Sequence, residues 1–378
     1  MSLNSEAIFG LHTDPSIYLR ERAMSNRGFF LDQLFSGQAS RRKVLKQATL
    51  FGISAAIAAC GRSGDQTASA PDSVREVRFT HGLGLCNMPL FYSIETGLFE
   101  ERNVKGRLSM TIGAGDSAVQ LASGQVEMAV TPYTNALAAY TNSPSFQIVA
   151  GSGVEGLMLI SRPEVQSIED LRGKKLGTAQ ADTLEIMGFD YLQANGLTYD
   201  DVEVVYFGDS FETTAAIING DIAACTLIEP YSTSVLNQIG GNRLGDGIDL
   251  YGEAYPDCVL AARKDFIERE PEVVKNVIKT FFEAQYLIEN DFQSAAEYTV
   301  DKYYKTELDN LLTAAQAQPP GVDIRDKRDF MFERSDSMLA LNYISREPDD
   351  DFVNFALLDE VIQENPELWE RVNVKSQV

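Results

Sequence analysis

Residues 76–101 read EVRFTHGLGLCNMPLFYSIETGLFEE, and this stretch decides the fold. Val77 and Phe79 alternate with Glu76, Arg78 and Thr80, a period of two that suits a half-buried strand. His81-Gly82-Leu83-Gly84 breaks the strand. Pro89 suits the first turn of a helix, where its missing N–H costs nothing. Leu90, Ile94 and Leu98 then recur every four residues on one helical face. A strand that enters a helix through a glycine loop sets the helix N-terminus beside the strand's C-terminal end, where open α/β sheets hold ligands. Residues 81–87 are thus the first candidate binding loop, with an ordinary βα turn as the bland alternative.

The pattern repeats outward. Residues 108–112 (LSMTI) read as a strand, 113–117 as a loop, and Ala118, Leu121 and Ala122 as a helix capped by Asp116 or Ser117. Residues 126–130 are a third strand, with Thr131 expected as cap and Pro132 in the first turn of the helix after it. Helix N-termini aimed at one sheet edge offer unpaired N–H groups and partial positive charge, which suits a carboxylate, sulfonate, nitrate or the polar edge of a neutral ligand. Residues 146–160 (FQIVAGSGVEGLMLI) read as two strands around a glycine-rich turn, a crossover to a second domain. There the plan resumes, with strands expected at 173–178, 202–207 and 222–227 and helices after 185, from 211 and from Glu229-Pro230-Tyr231. LASGQVEMAVTPY (121–133) and IINGDIAACTLIEPY (217–231) share a helix end, a polar-Gly-polar stop, an apolar strand and a Pro-Tyr helix start. Two lobes built on one plan imply a cleft between them.

The 378 residues give room for two domains and extras, and 44% hydrophobic content is that of a globular chain. With 55 acidic against 32 basic residues, the net charge of −23 argues against nucleic acid or an anionic membrane surface as partner. Ser40-Arg41-Arg42-Lys43-Val44-Leu45-Lys46 precedes an apolar run, 48–59, ending at Cys60. This resembles a twin-arginine export signal of a bacterial lipoprotein, with Ile57-Ala58-Ala59-Cys60 as lipobox and Cys60 as the lipidation site. The run is too short to span a membrane core, which needs about 20 residues. Residues 61–72 (GRSGDQTASAPD) then read as a flexible tether. Cys86, Cys225 and Cys258 lack metal-like spacing. One disulfide among them is open, and Cys225, within an apolar strand, reads as core.

Taken in order, PLFYSIETGLFEE, GAGDSAVQLASGQVEMAV, SIEDLRGKKLGT, ANGLTYDDVEVV and INGDIAACTLIEPY resemble a periplasmic substrate-binding protein of an ABC importer. The likeness is to the group for aliphatic sulfonates, taurine, nitrate, bicarbonate and pyrimidine precursors of thiamine, and it spans about 60% of the chain. It implies a two-lobed α/β fold of the type II periplasmic-binding-protein kind, closing on one ligand between the lobes. The expected division is a signal over 1–59, a tether over 60–75, a first lobe from 76–155 and 251–305, a second lobe over 156–250, and a helical C-terminal segment, 306–378, packing on the first lobe. The implied partners are a small-molecule ligand, the permease and ATPase subunits, and the membrane through a lipid anchor. The expected state is a monomer in the periplasm or on the outer face of the cytoplasmic membrane, with no cofactor, no metal and no nucleic acid.

The candidate ligand-binding residues are His81, Asn87, Asp116, Ser117, Thr131, Tyr133, Gln180, Thr183, Glu185, Ser210, Glu229 and Tyr231, with Asp182, Asp209 and Tyr255 beside them. These loops are acidic and hydroxylic and hold no Arg or Lys. Dianion sites recruit Arg for its bidentate fork, so the expected ligand is an amine or aminopyrimidine, with a singly charged anion held by helix ends second. Two alternatives share the fold: an enzyme of the pyrimidine-synthesis type and a sensory ligand-binding subunit. Of two histidines, His12 lies in the leader, so only His81 is left for general acid–base chemistry, and no Ser-His-acid set can be assembled.

Overall fold

The computed structural model describes residues 74–109, 111, 113 and 115–373. The expected signal, its Arg41-Arg42 pair and Cys60 lie outside these residues, as do Met110, Ile112 and Ala114. Two five-stranded sheets carry the chain, each mixed in direction.

The first sheet has the order β2-β1-β3-β10-β4, from β1 (Arg75–Thr80), β2 (Val104–Leu108), β3 (Met128–Pro132), β4 (Phe146–Val154) and β10 (Pro256–Arg263). β1 runs parallel to β2 and β3, and β10 is antiparallel to β3 and β4. Val77 and Phe79 are fully buried, as the alternation in β1 requires. Helices α1 (Met88–Thr96), α2 (Asp116–Ala122) and α3 (Tyr133–Asn142) follow the parallel strands.

The second sheet has the order β7-β6-β8-β5-β9, from β5 (Leu157–Ser161), β6 (Lys175–Ala179), β7 (Glu203–Phe207), β8 (Ala224–Ile228) and β9 (Asn242–Asp246). Helices α4 (Thr183–Ala194), α5 (Ser210–Asn219) and α6 (Tyr231–Ile239) follow β6, β7 and β8. Each lobe has its own apolar core, with Phe79, Phe281 and Phe282 in the first and Leu171, Ile217 and Val235 in the second.

Several boundaries differ from the sequence reading. The second strand is Val104–Leu108 rather than 108–112. Asn103, with φ of 54°, ends the preceding turn, and its carbonyl accepts from Arg75 N, so pairing with β1 begins at once. Arg75 pairs with Val104 and therefore belongs to the sheet, not to the tether. Thr131 is not a helix cap. The antiparallel ladder with β10 runs through Pro132, so Thr131 stays in the strand opposite Val259, and Pro132 precedes α3. Gly115, not Asp116 or Ser117, caps α2.

The chain crosses between lobes at Glu155-Gly156 and again before β10, and the two crossings are tied together. Glu155 N donates to Tyr255 O (2.9 Å), and Ala254 N donates to Glu155 Oε1 (2.7 Å). The C-terminal segment covers the free edge of β4. Gly151 N donates to Val322 O (2.9 Å), Val154 N to Pro319 O (3.1 Å), and Asn354 N to Ile148 O (2.9 Å). A Cβ on Gly151 would stand 2.2 Å from Gly321 O, so only glycine admits this backbone approach. Covering an edge strand satisfies its unpaired N–H and C=O groups. The segment also reaches the second lobe. Ser337 Oγ donates to Asp190 Oδ1 on α4 (2.5 Å), and Arg334 stacks over the rings of Tyr251 and Phe330, at 5.1 Å from each.

Candidate functional site

A cavity of about 180 Å³ opens between the lobes at the C-terminal ends of the parallel strands. This is the edge where the strand-loop-helix reading put the ligand. From the first lobe its wall takes the β1–α1 loop, and from the second the N-termini of α4 and α5.

The β1–α1 loop is locked by one side chain. Asn87 Oδ1 accepts from Gly82 N (3.0 Å), and Nδ2 donates to Gly84 O (3.1 Å). Both ends of this fully buried amide are thus engaged in shaping the loop. Gly84 faces the second lobe at a distance no side chain tolerates, since a Cβ there would meet Ile228 Cγ1 at 2.7 Å. Leu85 N donates to Glu229 O of the second lobe (2.9 Å). A disulfide, Cys86–Cys258, fastens the loop to β10, with Cα atoms 5.7 Å apart, and both residues line the cavity. Cys225 is buried in β8.

His81 also lines the cavity. Its Nδ1 lies 2.8 Å from Gly82 O. A carbonyl only accepts, so Nδ1 carries the proton and Nε2 of the neutral ring is an acceptor. Burial lowers the imidazole pKa, which keeps the ring neutral at neutral pH.

Three carboxyl groups stand in the wall: Asp182, Asp209 and Asp257. Asp182 and Asp209 are the caps of α4 and α5, accepting from Leu184 N (3.1 Å) and Glu212 N (2.9 Å). A carboxylate that caps a helix keeps further lone pairs for a ligand. Asp257 comes from β10 in the first lobe. Its Oδ1 accepts from Thr183 Oγ1 (2.6 Å) across the cleft, and its Oδ2 from Gln318 Nε2 (2.9 Å). Burial, with the charge of Asp182 added, pushes Asp257 up to about 8, and burial pushes Asp182 up to about 6. Asn135 on α3 donates Nδ2 to Ala181 O (2.7 Å), another bond between lobes, which leaves its Oδ1 without a partner among the described residues. No Lys or Arg is among the described residues that line the cavity.

The expected residues divide clearly. His81, Asn87 and Ser210 line the cavity. Thr183 stands behind the wall as the bridge to Asp257. Ser117 donates to Thr131 Oγ1 (2.7 Å) within the first lobe, and Asp116 Oδ2 accepts from Gly113 N (2.8 Å). Tyr133 is buried and packs edge-on against Phe330. Tyr231, also buried, donates to Leu83 O (3.3 Å). Gln180 is half-buried in the loop before Asp182. Glu185 faces away from the cavity and accepts from Ala181 N (2.6 Å), Tyr206 OH (2.7 Å) and Tyr343 OH (3.0 Å). Glu229, one residue before the cap Pro230 of α6, accepts from Thr233 N (3.1 Å) and Thr233 Oγ1 (2.8 Å). The sequence reading missed Asp257 and Asn135. The signal for Asp257 was an acid at the start of an otherwise apolar strand, and for Asn135 an amide in the first turn after Pro132.

Known proteins share this architecture. Residues 87–291 match the family described as NMT1/THI5 like. A binding protein of Brucella abortus is 26% identical over 163 residues, 42% of this chain and 49% of its own length. The chain thus spans about half the length of the curated relatives it matches. The periplasmic aliphatic sulphonate binding protein of Escherichia coli superposes with a TM-score of 0.65 at 17% identity, over 75% of this chain and 92% of its own. The periplasmic nitrate-binding protein of Synechocystis gives 0.68 at 13% identity, over 80% and 92%. At these identities the structures speak for the fold alone: two lobes with a ligand cleft between them. The match over more than half of its length makes this chain a member of the NMT1/THI5-like family.

Proposed function

We propose that this chain is the solute-binding subunit of an ABC importer and that its cleft takes a small amine or aminopyrimidine-like cation. One observation carries the ligand reading. The wall presents Asp182, Asp209, Asp257, the acceptor Nε2 of His81 and the unpartnered Oδ1 of Asn135, and no Lys or Arg among its described residues. Acceptors of this number need hydrogen-bond donors, and buried carboxylates need positive charge. Capture rather than catalysis is favoured because the wall's two cysteines are joined to each other and its histidine is turned onto a backbone carbonyl. The ligand is handed to a permease and ATPase pair, and the protein works as a lipid-anchored monomer after twin-arginine export. Export and anchoring rest on Arg41-Arg42 and Cys60. Among the described residues no helix is long and apolar enough to cross a membrane.

The test is a thermal-shift screen of amines and aminopyrimidines against sulfonates, nitrate and bicarbonate. A ligand at 100 times its dissociation constant raises stability by about 2.7 kcal/mol. Amines should stabilise and small-angle scattering should show compaction. Stabilisation by the anions alone would overturn the ligand reading. Replacing Arg41 and Arg42 by Lys should hold the precursor in the cytoplasm, and Cys60→Ala should release the exported protein from the membrane.

A further inference from the structure

We propose that the ligand's cationic nitrogen sits between Asp182 and Asp257, in place of a proton that these carboxyl groups share in the free protein. The site then selects small monocations with at least two N–H donors. The inference rests on the amine reading of the cleft and gives it a position, a selectivity rule and a linkage to pH.

The geometry is that of a pair split between lobes. Asp182 caps α4 in the second lobe, and Asp257 begins β10 in the first. They are 8% and 1% exposed. One hydroxyl joins them: Thr183 Oγ1 lies 2.6 Å from Asp257 Oδ1 and 3.2 Å from Asp182 Oδ1. A hydroxyl has one proton and cannot neutralise two carboxylates. Gln318 Nε2 and Leu184 N add neutral donors, at 2.9 Å and 3.1 Å.

The other titratable groups around the pair give no compensation. His81 comes from the β1–α1 loop and Asp209 from the cap of α5. Tyr133 on α3 and Tyr255 before β10 lie close enough to feel the charge of Asp257. Glu155 stands behind Gln318, which donates to its carbonyl oxygen (3.1 Å), and Lys327 acts on Glu155. Two buried carboxyl groups so placed cannot both ionise without a proton or a cation between them. When the ligand enters, R–NH₃⁺ takes the site, both carboxyl groups are ionised, and the proton passes to solvent.

Selectivity follows from the rest of the wall. Asn135 Oδ1 requires a donor. A quaternary ammonium has none and depends on a cage of aromatic faces, whereas Phe211 is the one aromatic carbocycle among the described lining residues. Burial pushes Asp257 up to about 8, so the linkage falls in the neutral range. Between about pH 6 and pH 8 one released proton makes affinity rise about tenfold per pH unit, and above pH 8 affinity levels off.

The test has two stages on the full chain. With aspartate labelled with ¹³C at the carboxyl carbon, NMR titration of the free protein should show one carboxyl signal moving near neutral pH. It should be absent from Asp257→Asn and shifted down in Asp182→Asn, whose amide still caps α4. All aspartates titrating below pH 5, or the high signal persisting in both variants, overturns the proposal. Ethanolamine and choline, which differ in N-methylation alone, are then compared by calorimetry from pH 5.5 to 8 in two buffers of unlike protonation enthalpy. Ethanolamine should bind at least tenfold tighter, release a proton and bind more tightly as pH rises. Equal or tighter binding of choline, or pH-independent binding of ethanolamine, overturns the shared-proton site while leaving an amine receptor standing. If neither amine binds and anions alone stabilise the protein, the amine reading fails and this inference with it.

Discussion

Asp257 stands in an environment far from that of a free side chain in water. Its carboxyl keeps a proton in the folded state at pH values where the unfolded chain has lost it. The folded state therefore binds more protons between about pH 4 and pH 8, and stability falls as pH rises through that window, by at most about 1.4 kcal/mol per unit. Asp257→Asn should flatten the profile and raise the melting temperature at pH 8, as read by calorimetry at pH 5 and 8. An unchanged pH dependence would show that Asp257 ionises normally. Glu185 leads to the opposite expectation. It is fully buried and accepts three hydrogen bonds, two of them from the hydroxyls of Tyr206 and Tyr343. Glu185→Gln leaves a buried donor unmet, at about 1–3 kcal/mol, so it should lower the melting temperature and leave affinity for the screen's best ligand unaltered. Weakened binding in this variant would return Glu185 to the cleft. Nothing near Glu185 in sequence signalled its inward turn, because Tyr206 and Tyr343 come from distant parts of the chain. His81 and Ser210 were legible since His81 directly follows β1 and Ser210 opens the helix after β7, both at the strand ends where open α/β sheets hold ligands.

Among the elements, β4 depends most on a segment remote in sequence. All nine of its residues are buried, although it ends the order of its sheet, because residues 319–322 and 353–354 run along its free side. Gly151→Val should push this cover away. Overpacking costs typically about 1–3 kcal/mol, and a protease should then cut near Pro319-Pro320 in a variant that still binds ligand. Resistance equal to the parent would mean that the cover shifts without detaching. The strand-loop-helix units were readable in the sequence because period-two runs, glycine stops and prolines in first turns are local signals. The C-terminal cover was not, since isolated bridges leave no periodicity to detect. The late start expected for the second strand has a similar origin, because pairing with β1 outweighs the local preference of residues 108–112.

Across the whole molecule, the lobes meet through crossings at Glu155-Gly156 and before β10, and the C-terminal segment joins them a third time. Arg334, between the rings of Tyr251 and Phe330 and 3.4 Å from Asp190 Oδ2, is the centre of that third link. Arg334→Met should loosen the ligand-free protein toward an open form, read as a larger radius of gyration with little change in the ligand-bound form. An identical radius in both proteins would mean that the link carries no load in opening. The edge cover on β4 also bears on how the protein is made. The second lobe's sheet is continuous in sequence, from Leu157 to Asp246, and can assemble while the chain is still growing on the ribosome. The first lobe waits for β10 and then for the cover beyond residue 319. Strand β1, although it precedes the whole second lobe in the chain, is therefore completed as part of a finished lobe only when residues 319–322 and 353–354 are in place.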